Sequence, residues 1–415
     1  MRILVVSQYF WPENFRINDL VSEFCNRGHE VTVLTGCPNY PKGEIFPEFK
    51  GDPQAFEKFG AASIIRVPML PRGKGALRLM FNYASFAISA TFCGAWRLRG
   101  RDFDVIFVFE PSPITVGLPA AFIRYLKRAP LVFWVLDMWP ETLKAVGVVH
   151  SQAILNVVGH LVSFIYRRCD LILAQSKSFI QKIRQYCAPG QAVEYFPSWS
   201  DAQFDFSSVE AAIEVPVAEG MFSIMFAGNI GEAQDFPAIL DAAENLKNDE
   251  RIRWLIVGDG RASEWVCSEV ARRGLGHCFL MLGRYPVDRM PSFFKHADAL
   301  FLSLKDEPIF SMTIPGKLQS YLAAGIPVIA MLNGEGAEIV RDSGAGLSCR
   351  AGDALGLSVA VREMAGLDGE SRRQMGLRGQ AVSEKEFDRS TLISRLLSWF
   401  EELSAVGGKH LEGDR

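Results

Sequence analysis

A chain of 415 residues is too long for one ordinary core, so two domains are expected. Hydrophobic residues make up 49% and charged residues 22%, which is a globular profile. The formal net charge of −3 excludes a generally basic nucleic-acid binder.

"MRILVVSQYF" opens with a strand at 2–10 and runs straight into a polar turn, without the apolar core and cleavage site of a signal peptide. The helical pattern "INDLVSEFCNRG" follows, and Gly28 closes it as a C′ glycine. Further strands are expected at 29–36, 62–70, 103–110, 130–137, 169–176 and 193–199. Several are near-continuous apolar runs, as in strands buried on both faces of a parallel sheet. Helical patterns such as "ITVGLPAAFIRYLKR" lie between most of them.

Residues 76 to 96, "ALRLMFNYASFAISATFCGAW", carry one charge, Arg78, and are framed by Arg72, Lys74, Arg97, Arg99 and Arg101. Their length alone would permit a membrane span, but Asn82, Tyr83, Ser85, Ser89 and Thr91 interrupt them. A long helix packed on a sheet is the simpler expectation, either with one flank free to touch lipid or wholly buried.

Residues 200 to 220 break the rhythm with acidic and small residues and read as a linker. A second alternation has strands at 221–229, 252–260, 277–284, 299–304 and 327–332, and a last helix near Leu392 to Leu403 carries Trp399 and Phe400. Two doubly wound α/β domains would define a cleft, with ligands at the carboxyl ends of strands. The eight cysteines fall at no CxxC spacing, so they read as buried reduced thiols, which suits the cytoplasm.

Chemistry is therefore sought just after the strands. "WPENFRIND" after the first strand has no glycine, which excludes a first-domain GxGxxG dinucleotide site. Arg16 there either meets an anion together with helix amides or is a solvated charge. Asp137, in "LDMWPE", is either an acceptor-orienting group or base, or the cap of the following turn; Trp139 beside it forms an aromatic wall. "FAGNIGEAQDF" (226–236) and "VGDG" (257–260) make glycine turns on neighbouring strand ends, with Asn229 and Gln234 as neutral donors, and together they favour a nucleotide pocket.

In "IPGKLQSYLAAGIPVIA" (314–330), Pro315 opens a helix. Its amides, the Ser311 and Thr313 hydroxyls and the Lys317 charge suit a diphosphate, and Lys317 can neutralise a departing nucleoside diphosphate. The alternative is an ordinary surface lysine. The histidines share no metal-ligand spacing, so no metal is expected.

These motifs, with "RGHEVTVLTG" and "PNYPKG", resemble family 4 retaining glycosyltransferases of the GT-B fold, most closely the WbuB-type branch of L-fucosamine transferases. The resemblance spans the chain from its first strand to its last helix. It implies two Rossmann-like domains facing a cleft: an acceptor domain at 1–200, a linker at 201–220, a nucleotide-sugar domain at 221–386, and a C-terminal helix and tail at 387–415 crossing back. It further implies donor contacts from Arg16, Gly228, Asn229, Gln234, Gly258, Arg284, Ser311, Thr313 and Ser320, and acceptor contacts from Glu13, Asn14, Trp139 and Glu141.

The wider family places Arg and Lys where this chain has Asn229 and Gln234, acids near Met312 and at Ser320, and a histidine at Leu136. Lys317 and Arg16 are expected to supply the missing charge, with Glu307 as the substitute acid and Asp137 and Lys317 as the other catalytic groups. The expected activity is metal-independent transfer from a UDP-sugar, such as one carrying N-acetyl-L-fucosamine, to a polyprenyl-diphosphate-linked saccharide. It would occur at the cytoplasmic face of the inner membrane, in O-antigen, capsule or exopolysaccharide assembly. A nucleotide-sugar 2-epimerase of the same fold and a non-catalytic assembly scaffold are the alternatives.

Overall fold

The computed structural model describes residues 1–41, 43–73, 75–145, 149–200 and 209–412, with the backbone alone for Ala76 and residues 407–412. Lys74 and residues 201–208 of the expected linker lie outside the described residues. The chain forms two compact units, Met1–Phe196 together with the residues from Ile393 onward, and Pro197–Leu392.

The first unit is built on eight strands: β1 (Arg2–Val6), β2 (Glu30–Gly36), β3 (Lys58–Phe59), β4 (Ala62–Val67), β5 (Val105–Glu110), β6 (Leu131–Val135), β7 (Leu171–Ala174) and β8 (Val193–Tyr195). Their spatial order is β3-β4-β2-β1-β5-β6-β7-β8. All pairs are parallel except β3 with β4. β5 and β6 are buried along their whole length, as their unbroken apolar runs require.

Connections from β4 to β5, β5 to β6 and β6 to β7 all advance in one direction across this sheet. Right-handed crossover then puts helices Ala76–Ser89, Gly117–Lys127 and Gln152–Tyr166 on one face. The β1–β2 connection runs the other way, so helix Arg16–Asn26 covers the opposite face. It ends with Gly28 at φ +80°, whose amide returns to the Cys25 carbonyl (2.9 Å). Helix Arg389–Glu412 joins it there: Phe400 lies 5.9 Å from Phe24 and 5.5 Å from Phe107 between ring centroids.

The second unit has β9 (Phe222–Ala227), β10 (Ile252–Val257), β11 (Phe279–Gly283), β12 (Ala299–Ser303), β13 (Val328–Met331) and β14 (Gly346–Cys349). They form an all-parallel sheet in the order β11-β10-β9-β12-β13-β14. Both units are Rossmann-like doubly wound sheets.

Several expectations need correction. β3 and β14 were not anticipated, and 193–199 is a strand only as far as Tyr195. The later part of the expected linker is anchored to the second unit. Ala212 and Val215 are buried, Glu214 pairs with Arg289 at 3.0 Å, and the Ala212 amide donates to the Ser292 carbonyl at 3.0 Å. Cys169 and Cys278 are buried, but Cys93 and Cys267 are exposed. The apolar segment at 76–96 is the helix Ala76–Ser89, a π-turn at Ala90–Gly94 and one last turn, Ala95–Arg97. Among the described residues no helix is long and apolar enough to cross a membrane.

Because Phe400 fills space between a strand and a helix of the first unit, Phe400→Ala should lower its stability by roughly 3–5 kcal/mol. Urea unfolding followed by circular dichroism measures this; an unchanged midpoint would show that the C-terminal helix is not part of that core.

Candidate functional site

The second unit concentrates its unusual geometry where β9 and β10 end. Gly228 and Gly258 follow these strands at φ +141° and +143°, a region that side chains rarely enter. A Cβ on Gly258 would lie 1.8 Å from the Gly228 carbonyl oxygen, and one on Gly228 would lie 2.4 Å from Lys317 Cε. Only glycines let the two turns touch and Lys317 lie on the first of them. The Gly228 amide donates to the Val257 carbonyl (2.8 Å) and the Ile230 amide to that of Asp259 (2.9 Å), closing the paired turns.

Lys317 stands at the start of helix Gly316–Ala323, with its Nζ 3.6 Å from the centroid of the Phe226 ring. It has no carboxylate partner among the described residues, and burial pulls its pKa down to about 7. This is not the environment of an ordinary surface lysine.

One turn on, Tyr321 is wholly buried. Its hydroxyl accepts from the Ala227 amide (2.9 Å) and donates to the Ala227 carbonyl (3.2 Å). That locks the helix, and Lys317 with it, to the end of β9. Tyr321 was not anticipated, although its i+4 spacing from Lys317 places both on one helix face.

The neighbouring candidates are less available than expected. Gln234 Oε1 accepts from the Gly231 amide (3.1 Å) and sits 3.5 Å from Asn229 Nδ2, so it braces its own turn, while Asn229 is exposed. The Ser311 hydroxyl donates to the Pro308 carbonyl and that of Thr313 to Ile309, both at 2.8 Å. Both hydroxyl hydrogens are engaged by carbonyls of the preceding turn. Glu307 is half-buried at the start of helix Pro308–Ser311, where its carbonyl accepts from the Phe310 amide (2.9 Å). Ser320 is half-buried on the Lys317 helix, and Arg284 is exposed just beyond β11.

In the first unit, Asp137 follows β6. Its carboxylate accepts from the Thr142 hydroxyl (2.6 Å) and the Trp139 indole (3.1 Å), so it braces its turn while remaining partly exposed. Glu110, at the end of β5, is fully buried, and its carboxyl accepts from the Asp137 amide at 3.4 Å. Burial first, and then the nearby Asp137, push the Glu110 carboxyl well above the usual carboxylate range. Burial also raises Asp137. Glu110 was missed; an acid ending the apolar run "VIFVFE" was the available signal.

Trp139 is buried against Tyr83 (6.3 Å between centroids). Glu141 is committed to Lys182 (2.9 Å) and the Tyr186 hydroxyl (3.1 Å). Glu13 is buried, and its carboxylate accepts from the amides of Asn39 and Tyr40 (both 2.7 Å) and Phe10 (3.2 Å). It ties two loops together and has no face for an acceptor, contrary to expectation. Asn14 is exposed, and Arg16 is half-buried as the first residue of its helix.

Residues 14–199 match the glycosyl transferase 4-like domain, and residues 222–366 match the glycosyl transferases group 1 model. The chain is 25% identical over 342 residues to the putative colanic acid biosynthesis glycosyl transferase WcaI of Escherichia coli, covering 78% of this chain and 82% of that protein. It is also 25% identical over 264 residues to the probable glycosyltransferase WbjE of Pseudomonas aeruginosa, covering 62% of this chain and 65% of that protein.

Among solved structures, Anabaena HepE in complex with UDP and glucose superposes with a TM-score of 0.67 at 16% identity, over 97% of this chain and 99% of that one. Sucrose-phosphate synthase from Thermosynechococcus elongatus superposes with a TM-score of 0.71 at 14% identity, over 98% and 99%. Two tandem family domains on two Rossmann-like sheets of GT-B type place this chain among the group 1 and 4-like glycosyltransferases.

Proposed function

We propose that the chain is a retaining, metal-independent glycosyltransferase that uses a UDP-sugar, with its donor diphosphate held by the second unit at Gly228, Gly258 and Lys317. The observation that carries this reading is Lys317: a half-buried cation, without a carboxylate partner among the described residues, laid on a glycine turn at a strand end. HepE, with the same fold, is seen with UDP. As the glycosidic bond breaks, negative charge collects on the leaving diphosphate, and a fixed ammonium there is worth more in the transition state than in the ground state. Retention follows if the leaving phosphate itself helps to deprotonate the acceptor hydroxyl on the same face of the sugar. On the first unit by itself, Asp137, backed by Glu110, offers a fixed carboxylate able to accept a hydrogen bond from an acceptor hydroxyl.

The role is polysaccharide assembly, which the name of WcaI supports. Resemblance to the WbuB-type branch favours an N-acetyl-deoxyhexosamine donor such as N-acetyl-L-fucosamine, and a polyprenyl-diphosphate-linked acceptor in O-antigen or capsule synthesis. Such an acceptor requires work at a bilayer, at the cytoplasmic face of the inner membrane. In support, Leu77, Phe81, Ile88, Phe92 and Trp96 form an exposed stripe along the helical segment 76–97. Asn82, on the opposite side, is buried and accepts from Gln8 Nε2 at 2.8 Å.

Lys317 gives the donor claim a pH signature. Its folded pKa, about 7, lies below the unfolded value of 10.5, so in the free protein its burial disfavours folding most below pH 7 and is relieved as pH rises towards 10.5. A diphosphate reverses the shift, so UDP binding at pH 8 should take up protons. Calorimetry in two buffers of different ionisation enthalpy measures that uptake. Lys317→Ala should abolish it and weaken UDP binding by roughly ten- to a hundredfold. Equal heats in both buffers, with unchanged affinity of the variant, would remove Lys317 from the donor site. Chelation with EDTA should leave transfer unaffected; loss of activity restored by a divalent ion would refute metal independence.

Membrane attachment should appear as flotation with anionic vesicles that is strong at low salt and weak at high salt, because headgroup attraction is screened. Arg97 donates to the Arg66 carbonyl (2.7 Å) and Arg101 to Thr32 (3.3 Å), so part of their capacity is spent on the fold. Arg78→Gln with Arg99→Gln is therefore the cleaner variant, and it should float less than wild type without a change in thermal unfolding.

A further inference from the structure

Helical segment 76–97 is one part of a wider apolar surface. Phe92 meets Phe122 of helix Gly117–Lys127 (6.4 Å between centroids), and that helix also exposes Tyr125 and Leu126. Gly117 in turn abuts helix Gln152–Tyr166, since a Cβ on it would fall 2.4 Å from Ile165 Cγ2. This third helix exposes Ile154, Val157 and Phe164, spaced so that all three project from one flank. Among the described residues, the exposed large apolar side chains of the first unit lie on these three helices, apart from Leu70 and Val406.

Charge is distributed just as unevenly. The stretches 76–101, 114–128 and 152–168 contain no Asp or Glu, in a chain with 47 acids and a net charge of −3. They do contain basic residues, and two of these lie against the apolar stripe. Arg99 is 4.1 Å from the Trp96 ring centroid, and Arg168 is 3.5 Å from that of Phe164. Arg124 is the exception, being neutralised by Asp170 at 2.6 Å.

We infer that all three helices form one bilayer-docking face that inserts its apolar side chains among anionic phospholipids, with Arg99 and Arg168 at headgroup level. The inference rests on the membrane reading above and extends it to two helices that carry no part of the original apolar segment. Charge decides the occupant. A second copy docked through the same face would set one acid-free cationic rim against another, whereas an anionic headgroup layer complements it.

The test uses the full chain and vesicles of phosphatidylcholine with phosphatidylglycerol. The triple variant Tyr125→Ser, Val157→Ser, Phe164→Ser leaves segment 76–97 intact and alters only exposed positions. It should partition onto the vesicles about tenfold or more weakly than wild type, with an unchanged melting curve and unchanged UDP affinity. Wild-type partitioning by that variant would confine docking to the first helical segment and overturn the inference alone. Failure of the wild type to bind would overturn the membrane reading as well.

Hydroxyl-radical footprinting of the wild type needs no variant. Oxidation of Phe122, Tyr125 and Phe164 should fall when vesicles are added, and unchanged oxidation overturns the inference. Protection that instead grows with protein concentration without lipid would assign the face to a second copy, and the lipid assignment would fail.

Discussion

The contact between the Gly228 and Gly258 turns is the constraint on which the placement of Lys317 depends. At φ near +140° both backbones are where a side chain would be strained, and at 1.8 Å from a carbonyl oxygen no Cβ fits on Gly258 at all. The two strand ends therefore present bare backbone, and the nearest side chain to fill that space comes from another element. Lys317 does so. Its stem covers Gly228 and its ammonium rests over Phe226, and the Tyr321–Ala227 hydrogen bonds hold the helix in that position. The lowered lysine pKa follows from this packing: a cation is pressed against an aromatic ring and backbone, with no acid among the described residues to balance it. An anionic ligand would relieve that imbalance.

The first unit solves a different electrostatic problem. Its strand ends carry acids, and most are already satisfied by protein groups. Glu13 is held by three loop amides, and one oxygen of Glu141 is held by Lys182 and Tyr186. Asp137 combines partial exposure with a fixed orientation, because Thr142 and Trp139 hold its two oxygens. Glu110 beneath it is kept towards its neutral form by burial and by Asp137 itself, so the pair avoids placing two full charges side by side. Orientation of a hydroxyl by one carboxylate needs no more than this.

The helical layer on one face of the first sheet shows how a single element can carry two apolar environments. In Gln152–Tyr166, Leu155, Val162 and Ile165 pack inward, while Ile154, Val157 and Phe164 face outward on one flank. A helix with one apolar stripe would need only the sheet as its partner. A second stripe, without acids beside it, calls for a second partner.

The alternation of strands and helices was legible because burial on both faces writes long apolar runs into β1, β5, β6 and β9, and these runs are local. Gly28 as a helix end and the glycine turns after β9 and β10 were legible for the same reason, since backbone conformation is settled within a few residues. β14, "GLSC", was not, because its identity as a strand comes from pairing with β13 rather than from its own pattern. The packing of the later linker residues was not legible, because the burial of Ala212 and Val215 depends on residues far along the chain, such as Ser292 and Arg289. Composition named the residue types able to bind a diphosphate or orient a hydroxyl, but it could not say which were already spent. Glu13 meets its partners 26 and 27 residues away, Glu141 meets Tyr186 45 residues away, and Tyr321 reaches Ala227 across 94. Hydrogen-bonding capacity is a property of the side chain; whether it is free is decided by neighbours that only the folded chain brings within 3 Å.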